Sequence, residues 1–416
     1  MYASLLATTL LVGSAASPSG ATSPVLACQV IHVSPSFRAD HVAFCLFRIN
    51  ATEPEAIAVT ADGGRTWATQ PMTGLTRPTG PAGVGLSLAL SPTYATDASL
   101  FATTGSGTFV SKDRAATFSQ VDSLMTGWGV SNPLVYLAES SPAGFPQSGA
   151  GKRVLLLSAE GVGSARTDPS SPVHSPVVGI PGGRTVRFAL PDSANPFALG
   201  YDPSPSGTRT LSSYRCTPDF TCAAKLFSFP PDVAFPVPGD ERVEVLGDGS
   251  VVVVLLDGAH DTHVWRSTDA GASFVAWTPV EKLLSPVNKT SESFPFVSLG
   301  SDPGQPKVLY LRLSGRTTQG RWSKDAPPAE QLFRSSDRGV TWRRIGYQRD
   351  ASQAGPRGNL PWNAPASGSD PAGVYPSPDG LTVFAVGSYI PSGEANGYYR
   401  SVFCSHDQGM HWRTSC

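Results

Sequence analysis

Charge is scarce in this chain. Asp, Glu, Lys and Arg make up 15% of its 416 residues and cancel to a formal net charge of -1. A field so weak, with no consistent sign, excludes a broad nucleic-acid footprint. Long apolar runs are also missing. The stretch Leu5 to Ala16 is too short to span a bilayer, so no transmembrane anchor is expected. No long amphipathic helix is apparent. There is no CxxC pair, HExxH, phosphate loop or Ser-His-Asp order, so neither a metal nor a cofactor is expected. The seven histidines are scattered, and His260 and His263, flanking Asp261, read as an exposed turn.

Gly and Pro are abundant, at 42 and 38 residues, and well dispersed. Many short strands joined by turns require that. Within this background one pattern recurs five times: Ser/Thr-x-Asp-x-Gly-x-Thr-Trp/Phe. It runs from Thr60 to Trp67, Ser111 to Phe118, Ser267 to Phe274, Ser335 to Trp342 and Ser405 to Trp412. A pattern repeated tens of residues apart signals a repeat architecture.

Each box reads as the tip of a hairpin. Asp62, Asp113, Asp269, Asp337 and Asp407 can accept hydrogen bonds from nearby backbone N–H groups and hold the turn shut. Gly64, Gly271, Gly339 and Gly409 supply a positive φ. Trp67, Phe118, Phe274, Trp342 and Trp412 carry the apolar area that wedges against a neighbouring unit. Ala115 stands where Gly belongs in the second box, and His411 replaces Thr in the last. Turns tolerate such drift, and one box lacks the clustered oxygens of a calcium site. The aspartates are therefore structural residues on this reading.

Asp62 to Asp113 spans 51 residues, Asp269 to Asp337 spans 68 and Asp337 to Asp407 spans 70. The interval of 156 from Asp113 to Asp269 holds about three short periods, so two units lack boxes. Arg215 to Cys222, with Cys216 and Cys222 stapling the turn, is one candidate. Gly161 to Asp168, after the apolar run Val154 to Leu157, is the other. A second repeat, Ser34 to Asp40 and Ser91 to Asp97, precedes strand-like segments shortly before the first two boxes. Each unit then reads as four antiparallel strands. Together they predict an all-β fold, a seven-bladed β-propeller of four-stranded blades with box hairpins. A single domain is expected over residues 25–416, its blades ending near 72, 122, 172, 228, 280, 347 and 416.

Residues 1–24 resemble a signal peptide and flexible leader, although no Lys or Arg precedes the apolar stretch. The six cysteines fit export, because disulfides persist in oxidising compartments. If Val33 faces His41, Cys28 falls nearly opposite Cys45. Cys216 and Cys222 bracket a turn. Cys404 and Cys416 remain, and Cys416 either curls back to Cys404 or reaches another blade.

The boxes resemble the bacterial neuraminidase repeats of the sialidase-like propeller superfamily, over nearly the whole chain from about Val25. That superfamily contains sialidases, xyloglucanases, sortilin-type receptors and photosystem II assembly-factor propellers. The resemblance implies the fold, with boxes at the blade periphery. A sialidase would add an arginine triad, a Tyr–Glu nucleophile pair and an Asp acid. Phe47-Arg48-Ile49-Asn50 approaches that family's arginine motif. However, Asn50 replaces its Pro, and Asp62 follows Arg48 by only 14 residues. Tyr398-Tyr399-Arg400, with Glu394 nearby, reads as strand packing next to a box. No complete catalytic set is visible.

Two insertions offer binding surface. Gly315 to Gln331 carries Arg316, Arg321 and Trp322. Gln348 to Gly380 carries Arg349, Arg357 and Trp362. Long loops on a rigid scaffold are where recognition usually sits. The sequence thus predicts a secreted, monomeric binding or assembly scaffold. Its ligand would be a carbohydrate or protein on the funnel or loop face. A glycoside hydrolase of the sialidase-like superfamily is the alternative.

Overall fold

The computed structural model describes residues 28–47, 55–76, 86–122, 135–137, 153–166, 175–177, 184–189, 197–216, 222–230, 242–256, 262–288, 293–317, 330–345, 373–389 and 399–412, except 92–93, 105, 159–160, 203–209, 217–221 and 303. The fold is all-β. Among the described residues, six antiparallel sheets have four strands and a seventh has three, each in simple up-and-down order. The first sheet is Cys28–Val33, Ala43–Phe47, Ala56–Thr60 and Ala68–Thr69. The second spans Ser87–Leu90 to Ser119–Asp122, the third Val135–Leu137 to Ser175–Val177, and the fourth Arg184–Ala189 to Ala224–Ser228. The fifth runs from Arg242–Val245 to Val275–Ala276, and the sixth from Ser293–Ser301 to Arg343–Ile345. The seventh comprises Val374–Pro376, Val383–Tyr389 and Tyr399–Ser405.

Successive sheets stack face to face, so the hydrophobic core is divided among the seams between them. Side chains alternate along a strand. In Val251–Leu256, Val251, Val253 and Leu255 enter the core shared with Phe197, Leu199 and Phe229 of the fourth sheet region. Val252 and Val254 enter the core shared with Leu309 and Leu311 of the sixth. A strand buried on both faces must be apolar throughout, which explains the run VVVVLL. The same logic seats Phe44 and Leu46 against the second sheet, while Cys45 and Phe47 join Phe384 and Val386 of the seventh. The last sheet therefore packs on the first. Each fully buried Phe or Leu contributes roughly 1.5–3 kcal/mol.

Several local expectations change. Val33 pairs with Ala43, and Cys28 pairs with Phe47 across a bulge before Val30. The Ser34 to Asp40 turn contains a short helix, Phe37–Asp40, which takes up the extra residues. Cys28 and Cys45 are therefore diagonal neighbours, and they form a disulfide with Cα atoms 5.7 Å apart. Cys216 and Cys222 form a second. Cys404 is also disulfide-bonded, while Cys416 lies outside the described residues.

Gly161–Arg166 is a strand paired with Arg153–Ser158, not a hairpin tip. The third sheet extends past residue 172, to Val177. An 11-residue helix, Thr278–Asn288, lies between the fifth and sixth sheets. Its Pro279 sits in the first turn, where its missing N–H has no helical partner to lose. Val280 and Leu284, one helical turn apart, are fully buried. His263 lies on the strand Thr262–Ser267, 3.9 Å from Glu281 of that helix, not in an exposed turn. Arg316 is on the strand Leu309–Thr317, where it pairs with Phe294, not in a loop.

Candidate functional site

The connections between first and second strands and between third and fourth strands share one edge of every sheet. The five boxes lie on that edge and have one geometry. Ser267 Oγ donates to Asp269 Oδ1 at 2.7 Å and accepts the Gly271 N–H at 2.8 Å. Asp269 Oδ1 accepts the Ser273 N–H at 2.9 Å, and Oδ2 accepts its hydroxyl at 2.6 Å. Asp62, Asp113 and Asp337 repeat these bonds with Thr66, Thr117 and Thr341. In the last box the His411 N–H and Nδ1 take the threonine's place at Asp407. Both residues before the turn's close have positive φ, including Arg114 at 59° and Ala115 at 69°.

These bonds favour the ionised carboxylate. Thr341 and Ser335 hold Asp337 down at about 2. For Asp62 partial burial pushes upward, but bonds from Thr66 and Thr60 outweigh it and the net shift is downward. Asp113, Asp269 and Asp407 are lowered by the same balance.

Each box leans on the sheet before it. Thr73, just after the first sheet, exchanges backbone bonds with Ala116 and Phe118. Ser213 of the fourth sheet donates to the Gly271 carbonyl at 2.9 Å. A Cβ on Gly339 would fall 2.2 Å from Trp277, and one on Gly409 would fall 2.6 Å from Ile345. Trp342 and Trp412 each donate their indole N–H to the glycine carbonyl of their own box. The first box completes the series, with Trp67 lying 6.2 Å from Phe384 of the seventh sheet. Arg266 strengthens the fifth–sixth seam. It pairs with Asp248 at 2.9 Å, lies 4.7 Å above Trp277 and donates to the Arg338 carbonyl at 2.6 Å.

At the seventh–first seam the same edge opens into a cleft of about 330 Å³. Phe37, His41, Asp62, Gly63 and Arg65 come from the first sheet region; Asp379, Leu381, Thr382 and His406 come from the seventh. Thr382 donates its hydroxyl to Asp379 Oδ2 at 2.6 Å, and His406 Nδ1 contacts the same oxygen of Thr382 at 3.1 Å. With the hydroxyl proton committed to the carboxylate, Nδ1 is the donor in that contact. Neighbouring Asp302 is buried; burial, then the nearby Asp379 charge, push its carboxyl upward against two backbone N–H bonds.

Sequence reasoning singled out Asp62 among these lining groups but not the cleft. Asp379 had a readable signal, because Ser377-Pro378-Asp379-Gly380 is itself a turn sequence. Arg321, Trp322, Arg349, Arg357 and Trp362 lie outside the described residues, as do Arg48, Glu394 and Tyr398. Tyr399 and Arg400 begin the strand Tyr399–Ser405.

Stacked four-stranded sheets with radial order define a β-propeller. The chain is similar to several solved structures at low sequence identity. These include the GH74 xyloglucanase from Xanthomonas campestris, at 14% identity and TM-score 0.43, covering 93% of this chain and 66% of that one. YCF48 from Cyanidioschyzon merolae aligns at 10% and 0.43, covering 92% and 96%. A Trypanosoma rangeli sialidase aligns at 12% and 0.40, covering 92% and 55%. The sequence matches no protein-family model and no curated protein.

Proposed function

We propose that this chain is a secreted seven-bladed propeller acting as a binding or assembly scaffold, built as one domain over residues 25–416 behind a leader at 1–24. The observation that carries this reading is the commitment of the box carboxylates. Each spends its oxygens on its own turn, so the repeated acids stabilise hairpins and leave recognition to the cleft, funnel and loops. The ligand is a carbohydrate or a protein. The seven sheets and the packing of the last on the first support the blade count. Two disulfides, with Cys404 also bonded, are compatible with an oxidising compartment. Among the described residues no helix is long and apolar enough to cross a membrane.

The test is a screen of fluorogenic glycosides, sialosides included, with purified protein. No turnover above buffer is expected. Turnover abolished by replacing a funnel carboxylate with its amide would replace the scaffold reading with that of a glycoside hydrolase.

A further inference from the structure

Positive charge collects on one outer corner of this charge-poor chain. The box-edge half of the sixth sheet carries Lys307, Arg334, Arg338, Arg343 and Arg344 against two carboxylates, Asp302 and Asp337. Asp302 is 1% exposed and gives Oδ1 to the Gly304 and Gln305 N–H groups. Asp337 spends its oxygens on Ser335 and Thr341. Lys307, Arg338 and Arg343 are exposed and make no ion pair among the described residues. They adjoin one another, because the Lys307 carbonyl accepts the Arg338 N–H at 2.9 Å and Arg343 directly follows the box that holds Arg338.

The fifth sheet shows what the sixth lacks. There Arg266, just before its box, stands opposite Val275 and pairs with Asp248 at 2.9 Å. In the sixth sheet Arg334, also just before its box, stands opposite Arg343. Asp302 lies within reach of the Arg334 charge but makes no ion pair with it. Cross-strand neighbours of like charge repel, and the Arg334 Nε is buried without a hydrogen-bond partner. A carboxylate supplied from outside would relieve both conditions. The outer strands Ala68–Thr69 and Val275–Ala276 carry no charge, so the arginines are not a general guard of sheet edges. Apolar surface borders the cations. Val340, within the box, is 68% exposed, and Met410 is 38% exposed. Met410 follows Gly409, which packs on Ile345 at the end of the outer strand. That strand, Arg343–Ile345, ends the sheet, so its outer edge faces no strand among the described residues.

We propose that the outer strand of the sixth sheet docks an extended acidic segment of a partner protein. The carboxylates of the segment lie on Arg334, Arg338 and Arg343, its backbone runs along Arg343–Ile345, and its apolar side chains rest on Val340 and Met410. The apolar borders and free strand edge favour a peptide over a sulfated glycan, which has no use for either. The inference rests on the scaffold reading above and adds a docking edge to it. The glycoside screen tests that reading separately, because turnover there neither requires nor forbids peptide binding here.

The probe is a labelled, end-capped nonapeptide of alternating Glu and Val, followed by fluorescence anisotropy as the full chain is added at low salt. A version with Gln in place of Glu is the comparison. The acidic peptide is expected to bind at least about tenfold more tightly than the Gln version, and Arg343→Gln to weaken it by a similar factor. Arg338→Gln, which alters no strand pair, should weaken it in the same sense. Lys112→Gln, at an exposed site in the second box, should leave the affinity unchanged. Without peptide, Arg343→Gln should keep or raise the melting temperature, because it removes the cross-strand repulsion; a fall would mark Arg343 as a support of the fold and count against the inference. The inference is overturned if the acidic peptide fails to bind with the chain at about 1 mM. Equal binding of the two peptides, an unchanged affinity in both arginine variants, or an equal loss in Lys112→Gln would also overturn it. Binding of a heparin hexasaccharide without binding of the acidic peptide would assign the surface to a polysaccharide instead.

Discussion

The fifth–sixth and seventh–first seams use the same box clamp and leave different surfaces. At the fifth–sixth seam, Trp277 fills the space over Gly339, and Arg266 bridges Asp248 to the Arg338 carbonyl. At the seventh–first seam, Gly63, which stands at the box position that Arg338 holds in the sixth sheet, lies nearest Phe37 of its own sheet region, and a Cβ there would meet that ring at 3.9 Å. The notch beyond is rimmed by Arg65, His41 and His406. The clamp fixes the turn in both places. Whether the seam becomes a joint or a cleft depends on the side chain offered by the preceding sheet.

The comparison breaks first at the aromatic contact that the open seam does have. Phe384 is fully buried and lies 5.6 Å from Phe37 and 6.2 Å from Trp67. Phe384→Ala should cost about 3–5 kcal/mol in denaturant unfolding; a cost below about 1 kcal/mol would show that this seam contributes little. Next, Gly339→Ala places a methyl group at φ 78° against Trp277. The left-handed penalty is about 1–2 kcal/mol, and overpacking adds about 1–3 kcal/mol. A total no larger than the backbone penalty would erase the distinction between filled and open seams.

Ala115→Gly gives a smaller effect of opposite sign. Ala115 holds φ 69° in the second box, so glycine should stabilise by about 0.5–1 kcal/mol, read as a raised melting temperature. The smallest effect concerns acid. The box carboxylates are lowered in the folded protein, so on acidification the unfolded chain takes up protons first. Their contribution is present above the ordinary carboxylate value of 3.8 and is lost as pH falls. For Asp337 the window runs from 3.8 down to about 2. Asp337→Asn should flatten the acid limb of a stability–pH curve, and an unaltered slope would refute the account.

The boxes were legible because every bond in them joins residues two to four apart, so a local pattern carries the whole geometry. Register was not. The pairing of Cys28 depends on a bulge and on a helical turn at Phe37–Asp40, neither of which has a local apolar period. The helix Thr278–Asn288 was hidden by its two prolines, although one stands where a helix accepts it. The cleft was the least legible feature. Arg65 and His406 meet only because the last sheet packs on the first, and no spacing along the chain encodes that encounter.

The backward lean of each box gives the ring a direction of dependence. Loosening one sheet removes the seat of the box that follows it and leaves the box before it seated. Damage should therefore travel one way around the molecule, from Trp277 towards Ile345 and on through Phe384 to Trp67. The cleft at Arg65 lies downstream of that whole arc.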